Sequence, residues 1–425
     1  MSILFMILLL LVLMVIGVPV ALALALSSLA FVVTNGMPPI IVLANMVNGI
    51  NSFPLIAVPF FILAGNLMNS AGITTRIFGF ARAAVGWMHG GLGHVNVGAS
   101  VIFAGMSGAA VADAGGLGNI EIKAMRDAGY DTDFAVGITA ASSTIGPIIP
   151  PSLPLVIYGV IADTSIGQLF TAGIVPGLMM AISLMIMVAF YAKRRHYPRD
   201  QEFSIRRFGS SFVDAFLPLM TPVIIIGGIM FGFFTPTEAA IAAVVYSLFL
   251  GLVVYRTLDW KKLMRVSMDT VETTAAVMLI VAASSVFAWI LTANQVAVQF
   301  SGLMMSITQS PVALMLIITV IVLVIGCFME TIAAITILTP VLLPVAVGLG
   351  VDPVHFGIIM ILNLMIGLLT PPIGMVLYVL SKVAAVPFER CVTATAPFLI
   401  PLVVVLLLLT FIPELTMWLP TQLYR

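Results

Sequence analysis

The sequence predicts an all-α polytopic membrane protein, built as two repeats of inverted topology that each hold a re-entrant hairpin and a broken helix. Three observations carry this. Of 425 residues, 61% are apolar and 8% are Asp, Glu, Lys or Arg, against about 25% charged in soluble domains. Matching glycine and proline motifs recur at a nearly constant offset. Basic residues mark one copy of each equivalent loop and are missing from the other. So few charges cannot cover a soluble chain of this length, which excludes a cytosolic enzyme, a nucleic-acid binder and a disordered scaffold. The long apolar runs exclude a β-barrel, whose strands alternate in short segments. The 17 basic residues balance the 17 acidic ones, so no bulk electrostatic partner is implied.

Residues 2–34 form one apolar stretch interrupted by Gly17 and Pro19, readable as one long helix or two short ones. The first basic residue is Arg76, so the positive n-region of a cleavable signal is missing. The stretch 74–94, with Arg76, Arg82 and Trp87, reads as an amphipathic arm along the interface. Apolar blocks lie at 53–69, 95–112, 134–149, 151–162, 168–192, 212–234, 237–255, 273–293, 311–328, 331–349, 354–370, 371–386 and 392–413. A full span needs about 20 residues, so several of these cannot cross alone. Between Lys193 and Arg207 stand six basic residues, a cytoplasmic anchor by the positive-inside rule. It divides a first repeat, 1–195, from a second, 210–425, with 196–209 as linker. Trp87, Trp260 and Trp418 read as interfacial anchors. Cys327 and Cys391 lie in apolar runs and read as packing residues. His89, His94, His196 and His355 match no metal motif and read as loop residues near the membrane surface.

The repeats rest on particular motifs. IGPIIPPSLPLVIYG (145–159) and IGLLTPPIGMVLYVL (366–380) are separated by 221 residues, and so are Gly105 and Gly326, which open GMSGAAVADAGGLG and GCFMETIAAITILT. Pro19 matches Pro236 at an offset of 217. Arg76, Arg82, Lys123 and Arg126 fall in 74–126, while 295–347 has no Lys or Arg. Conversely, Arg256, Lys261, Lys262 and Arg265 face a bare first-half counterpart near 39–48, and Lys382 and Arg390 correspond to Ile161 and Leu169. Equivalent loops should therefore face opposite sides, the pattern of inverted repeats in secondary transporters.

An α-helix cannot run unbroken through Pro-Pro, because proline lacks the N–H and clashes with the preceding turn. Gly146, Pro147, Pro150, Pro151 and Pro154 break one helix, and Gly367, Pro371, Pro372 and Gly374 break its counterpart. Unwound carbonyls suit hard cations such as Na⁺, and half-helix N-termini suit an anion. The hairpins place Asp113 and Glu330 at their centres. An acid at membrane depth costs at least about 2.5–3.5 kcal/mol, so each needs a cation or the N–H groups of a helix start. Ser142, Ser143 and Thr144, with Asn363 in a similar place, offer polar groups for a substrate or for their own backbone. Glu238, after Pro236, reads as a helix cap.

These motifs together, with PTEAA, SSTIGPIIPPSLPLVIYG and LLTPPIGMVLY, resemble the large membrane subunit of the tripartite ATP-independent periplasmic (TRAP) transporters over essentially the whole chain. The resemblance implies an elevator-type ion-transporter fold in the bacterial inner membrane. It implies sodium-coupled uptake of an organic anion delivered by a periplasmic substrate-binding protein, and a separate small four-helix membrane subunit as partner. Carried over by motif, one sodium site would use Ser107, Gly108, Asp113, Gly146, Ile149 and Pro151. The second would use Gly326, Glu330, Gly367, Thr370 and Pro372. Substrate would lie near Ser142, Ser143, Thr144 and Asn363. Some relatives have Ser where this chain has Ala109, which removes one side-chain ligand. Family substrates include C4-dicarboxylates, sialic acid and other sugar acids, with sialic acid favoured here on general likeness. No organic cofactor is expected, and the sequence has no Walker A motif. Proton coupling through Asp113 or Glu330 is the alternative within transport. An intramembrane enzyme would want a His/Asp or Ser/Lys constellation inside a span, and a channel has no need of two matched breaks.

Overall fold

A computed structural model describes residues 2–200, 202–308 and 310–424, the side chains of 105–107, 305, 307 and 311 excepted. All regular structure among them is helical. The chain opens with α1 (Ile3–Val15) and α2 (Val20–Thr34), so Gly17 and Pro19 split the first apolar stretch in two. Next come α3 (Ile40–Ile50), a 3₁₀ turn at Phe53–Ile56, α4 (Ala57–Ser70) and the arm α5 (Ile73–Val85). The first hairpin is α6 (Gly91–Ser107), returning through α7 (Ala110–Gly115) and α8 (Leu117–Asp127). The first broken helix is α9 (Thr132–Ser143) and α10 (Leu153–Ile161), and α11 (Ile166–Arg195) closes this half.

The second half follows the same order with α12 (Ile205–Met230), α13 (Pro236–Phe249), α14 (Trp260–Ala293) and α15 (Val296–Ile307). The second hairpin is α16 (Pro311–Gly326) and α17 (Thr331–Gly348). The second broken helix is α18 (Pro353–Gly367) and α19 (Met375–Ala384), followed by α20 (Phe388–Phe411) and a terminal α21 (Glu414–Leu423). Shifted by 221, α6 and α9 start at 312 and 353, against 311 and 353 for α16 and α18. One difference stands out. The continuous α14 corresponds to three pieces in the first half, where Asn51, Ser52 and Pro54 interrupt the helix.

Helix starts are capped as the sequence chemistry demands. Asp259 accepts from Lys262 N, Asp352 from Val354 N, and Thr235 with Glu238 forms a reciprocal capping box. Among the described residues, seven helical segments are long and apolar enough to cross a membrane. The main core joins the hairpins and broken helices, while Met6, Leu24, Phe31 and Phe287 belong to a separate apolar cluster that joins α1–α3 to α14. Both cysteines are buried and free, as expected of packing residues. Two histidines correct the sequence reading. His94 lies inside α6 and His355 inside α18, both buried, with His355 Nδ1 2.5 Å from Thr416 Oγ1. Each sits in the first turn of a helix that dips into the packed core.

The basic stretch is more structured than a free linker. Lys193–Arg195 end α11, Arg206 and Arg207 begin α12, and of the residues between these helices 196–200 and 202–204 are non-helical. Arg82 of the arm makes a bidentate pair with Asp200, at 2.5 and 2.7 Å. Asp131 accepts from Tyr197 Oη at 2.6 Å and from Arg195 at 2.7 Å. The Tyr197 hydrogen bond acts most strongly to hold the Asp131 carboxyl below its ordinary range; burial opposes it, and the hydrogen bond and charge of Arg195 add to the lowering. A lowered folded-state value means stability present above about pH 4, the unfolded value, and lost as pH falls through the folded one. Thermal unfolding of wild type and Asp131→Asn should therefore differ at neutral pH and converge in acid. The difference should be small, because the pair is solvent-screened.

Candidate functional site

The first break runs from Thr144 to Ser152 and is buried throughout. Four prolines in and beside it remove the N–H groups that would serve the carbonyls of Ser143, Gly146, Pro147 and Pro150 in a continuous helix. The Ser152 hydroxyl takes up one of these by donating to Pro147 O, and it caps α10 by accepting from Leu155 N. The loop fits because α11 offers glycines beneath it. A Cβ at Gly173 would collide with Ile148 O, and one at Gly177 with the Ile149 side chain.

The first hairpin tip is seated on this loop. Gly108 closes α6 with φ +58°, a left-handed conformation that favours glycine. A Cβ there would lie 2.8 Å from Pro151 O and 3.2 Å from Leu153 N. Asp113, in the first turn of α7, is 2% exposed. Its Oδ2 lies 2.5 Å from where a Cβ at Gly146 would stand, so the carboxylate reaches over the break. Gly108, Asp113, Gly146 and Pro151 are thus brought together, with Ile149 on the same loop. The Ser107 side chain lies outside the described residues.

The second pair is built differently. Gly326 and Gly367 meet backbone to backbone, a Cβ at Gly367 falling 2.6 Å from Gly326 C and 2.9 Å from its O. Glu330 caps α17, accepting from Ile332 N at 2.8 Å and Ala333 N at 3.2 Å. Thr370 donates to Ile366 O at 2.8 Å. Pro371 and Pro372 reach the surface, unlike the buried first loop. Both Pro-Pro peptides are cis.

Between the two hairpin tips lies a cavity of about 100 Å³, lined by Ala110, Pro147 and Leu153 from the first half and Glu330, Thr331 and Met365 from the second. The N-termini of α10 and α17 and the start of α7 open on it. The α10 start is capped by Ser152 and the α17 start by the Glu330 carboxylate, so what α10 turns to the cavity is its positive dipole end, which suits an anion. A larger cavity of about 540 Å³ lies at the other end of α10, between Gly159, Asp163 and Ser165 on one side and Phe53, Thr235 and Thr237 on the other. These loops carry no Lys or Arg.

Three of the four polar residues expected near substrate hydrogen-bond within the protein. Ser143 and Thr144 donate to Ala140 O and Ala141 O of their own helix, at 2.8 and 2.6 Å. Ser142 donates to Asn96 Oδ1 at 2.6 Å. Asn363 is buried, and neither end of its amide has a hydrogen-bond partner among the described residues. The sequence reading passed over Asn96, Glu121 and Thr139, which form a buried polar network with Ser142. Its signal was present: an acid at 121 whose place at the 221 offset is Leu342.

The model of the family "Tripartite ATP-independent periplasmic transporter, DctM component" matches residues 7–415. The chain is 51% identical over 394 residues to the sialic acid TRAP transporter large permease protein SiaM of Vibrio cholerae, covering 92% of each chain. It is 44% identical over 379 residues to the sialic acid TRAP transporter permease protein SiaT of Haemophilus influenzae, covering 89% of this chain and 62% of that one. Its fold is similar to the crystal structure of the YdaH transporter of Alcanivorax borkumensis, with TM-score 0.65 at 13% identity, covering 89% of this chain and 88% of that one.

Proposed function

We infer the role of this chain from its family and its site together: it belongs to the DctM component family of tripartite ATP-independent periplasmic transporters, and is a multi-pass large permease subunit rather than an enzyme. Our reading is that it drives uptake of an organic carboxylate, sialic acid, across the bacterial inner membrane in symport with sodium. The observation that carries this reading is the cavity between two hairpin tips on which helix N-termini converge, flanked by two helix breaks. The dipole end of α10 favours a carboxylate, and the breaks with Asp113 and Glu330 favour cations. Sialic acid is supported by the names of the two relatives above.

Residues 1–195 and 210–425 act as inverted repeats on either side of the 196–209 linker. An elevator motion would carry the hairpins and broken helices past a scaffold built around α1–α3 and α14. A periplasmic substrate-binding protein would deliver solute at the face of the larger cavity, and α10 joins that cavity to the smaller one. A small four-helix membrane subunit would complete the assembly. Each net positive charge entering gains about 2.3 kcal/mol per 100 mV, so an anion taken up with two or more sodium ions is carried without opposition from the membrane potential.

The test is uptake into proteoliposomes holding this chain and its small partner, with binding protein preloaded with labelled sialic acid outside. Accumulation that needs both the binding protein and an inward sodium gradient is the expected result. Accumulation of a C4-dicarboxylate instead would overturn the substrate, and uptake indifferent to sodium would overturn the coupling.

A further inference from the structure

The first half contains a buried polar network built around a carboxyl group, and three of its four places are apolar in the second half. On α6, Asn96 donates from Nδ2 to Glu121 Oε2 of α8 and to Thr139 Oγ1 of α9, both at 2.7 Å. Its Oδ1 accepts from Ser142 at 2.6 Å, at the last turn of α9 beside the break. All four residues are buried. At the 221 offset, the places of Asn96, Glu121 and Thr139 are held by Ile317, Leu342 and Met360. The fourth place, that of Ser142, is held by the buried Asn363, so the second half keeps one polar side chain in this layer and has no carboxyl group there. Replacing buried ionic groups by well-packed apolar ones is often neutral or stabilising, so the fold alone gives no reason for a carboxyl group here.

The geometry around Glu121 says what state that carboxyl is in. Its Oε1 is buried and has no hydrogen-bond partner among the described residues. An ionised carboxylate offers about four acceptor sites, and one Asn96 N–H serves this one. The helices packed on α8 are α6, α7, α9 and α19. Their titratable or charged groups are His94, Asp113, Asp133, Tyr378 and Lys382, and α8 itself adds Lys123, Arg126 and Asp127. Among the described residues no ion pair joins Glu121 to Lys123, Arg126 or Lys382, Arg126 donating instead to Ala384 O, while Asp113 brings a second buried carboxyl on the neighbouring α7. An anion at 121 would stand unpaired beside a second one. A proton on Oε1 removes that charge and leaves Oε2 as the oxygen that accepts from Asn96.

We propose that Glu121 is a proton-binding site of the first hairpin, occupied at neutral pH, and that its proton is required for transport. The neutral acid lets α6, α8 and α9 stay packed with Ser142 held by Asn96. Loss of the proton places an uncompensated charge inside the hairpin and loosens α9 at the edge of the break. The transport half of this proposal rests on the function inferred above, and the protonation half does not.

The experiment is infrared spectroscopy of the purified chain from neutral to alkaline pH, for wild type and Glu121→Gln, without substrate or sodium. Wild type should show a protonated-carboxyl stretching band that Glu121→Gln lacks and that fades in alkali. If the two spectra do not differ in that band, Glu121 is ionised and the proposal is wrong. Should Glu121→Gln fail to fold, Glu121→Leu, which copies Leu342, takes its place. Uptake is measured over the same range. Wild type should lose about tenfold per pH unit once the proton leaves, and the permanently neutral Glu121→Gln should stay within about twofold. A variant that declines in step with wild type overturns the role in transport, whatever the infrared band shows.

Discussion

Asp113→Ala is expected to reduce sodium-driven uptake by about 30-fold or more, with the loss appearing as weaker apparent sodium affinity. Asp113 is buried at the first hairpin tip, and its Oδ2 lies over Gly146 at the helix break. Truncating one partner of a buried charge pair costs about 2–5 kcal/mol, and each 1.4 kcal/mol is about tenfold in affinity. Asp113→Asn keeps the shape and removes the charge, so it should resemble the alanine variant if the carboxylate serves a cation. If its job is to cap the tip, Asp113→Asn should retain wild-type sodium dependence. Helical content and the unfolding midpoint, measured on the same preparations, separate a lost site from a lost fold. Gly146→Ala should give a milder version of the same defect, because its Cβ would meet the movable end of the Asp113 side chain.

Gly367→Ala should be the more damaging substitution for the fold. Its Cβ would stand 2.6 Å from Gly326 C and 2.8 Å from Gly326 Cα, so the obstacle is backbone that no rotamer can clear. Overpacking of this kind costs typically about 1–3 kcal/mol. Here it would push the end of α18 away from the end of α16 and separate the second hairpin from its broken helix. We expect a lower unfolding midpoint together with nearly complete loss of uptake. Gly227→Ala, where nothing lies within 4 Å of the added carbon, is the control and should behave as wild type. A Gly367→Ala chain that transports normally would mean that the two glycines need not touch during the cycle.

The hairpins and broken helices were legible because backbone chemistry dictates them. Pro150-Pro151 and Pro371-Pro372 forbid a continuous helix wherever they stand, and an acid within an apolar run demands a turn or a helix start. The pairing of the halves was legible for the same reason, since glycines and prolines hold places that other residues cannot. Elements governed by weaker signals were missed. α3 carries two asparagines and a glycine between proline-bearing turns, α15 is short, and α21 includes Pro420. α14 starts at Trp260, well before the apolar block at 273, because Asp259 caps a charged extension. Side-chain partners were the least legible. Ser143 and Thr144 turn back to their own helix, and Ser142 joins Asn96, a residue 46 positions away. A contact between three helices leaves no periodicity to read, although the asymmetry between Glu121 and Leu342 would have pointed to it.

Sodium is expected to move through the paired breaks together with the solute. Flux of labelled sodium into proteoliposomes, measured with and without solute-loaded binding protein at a fixed membrane potential, tests it directly. Sodium entry that requires the loaded binding protein is the expected result, with a reduced ratio of sodium to solute, or no flux, in Asp113→Ala. Solute accumulation with no accompanying entry of sodium would contradict it.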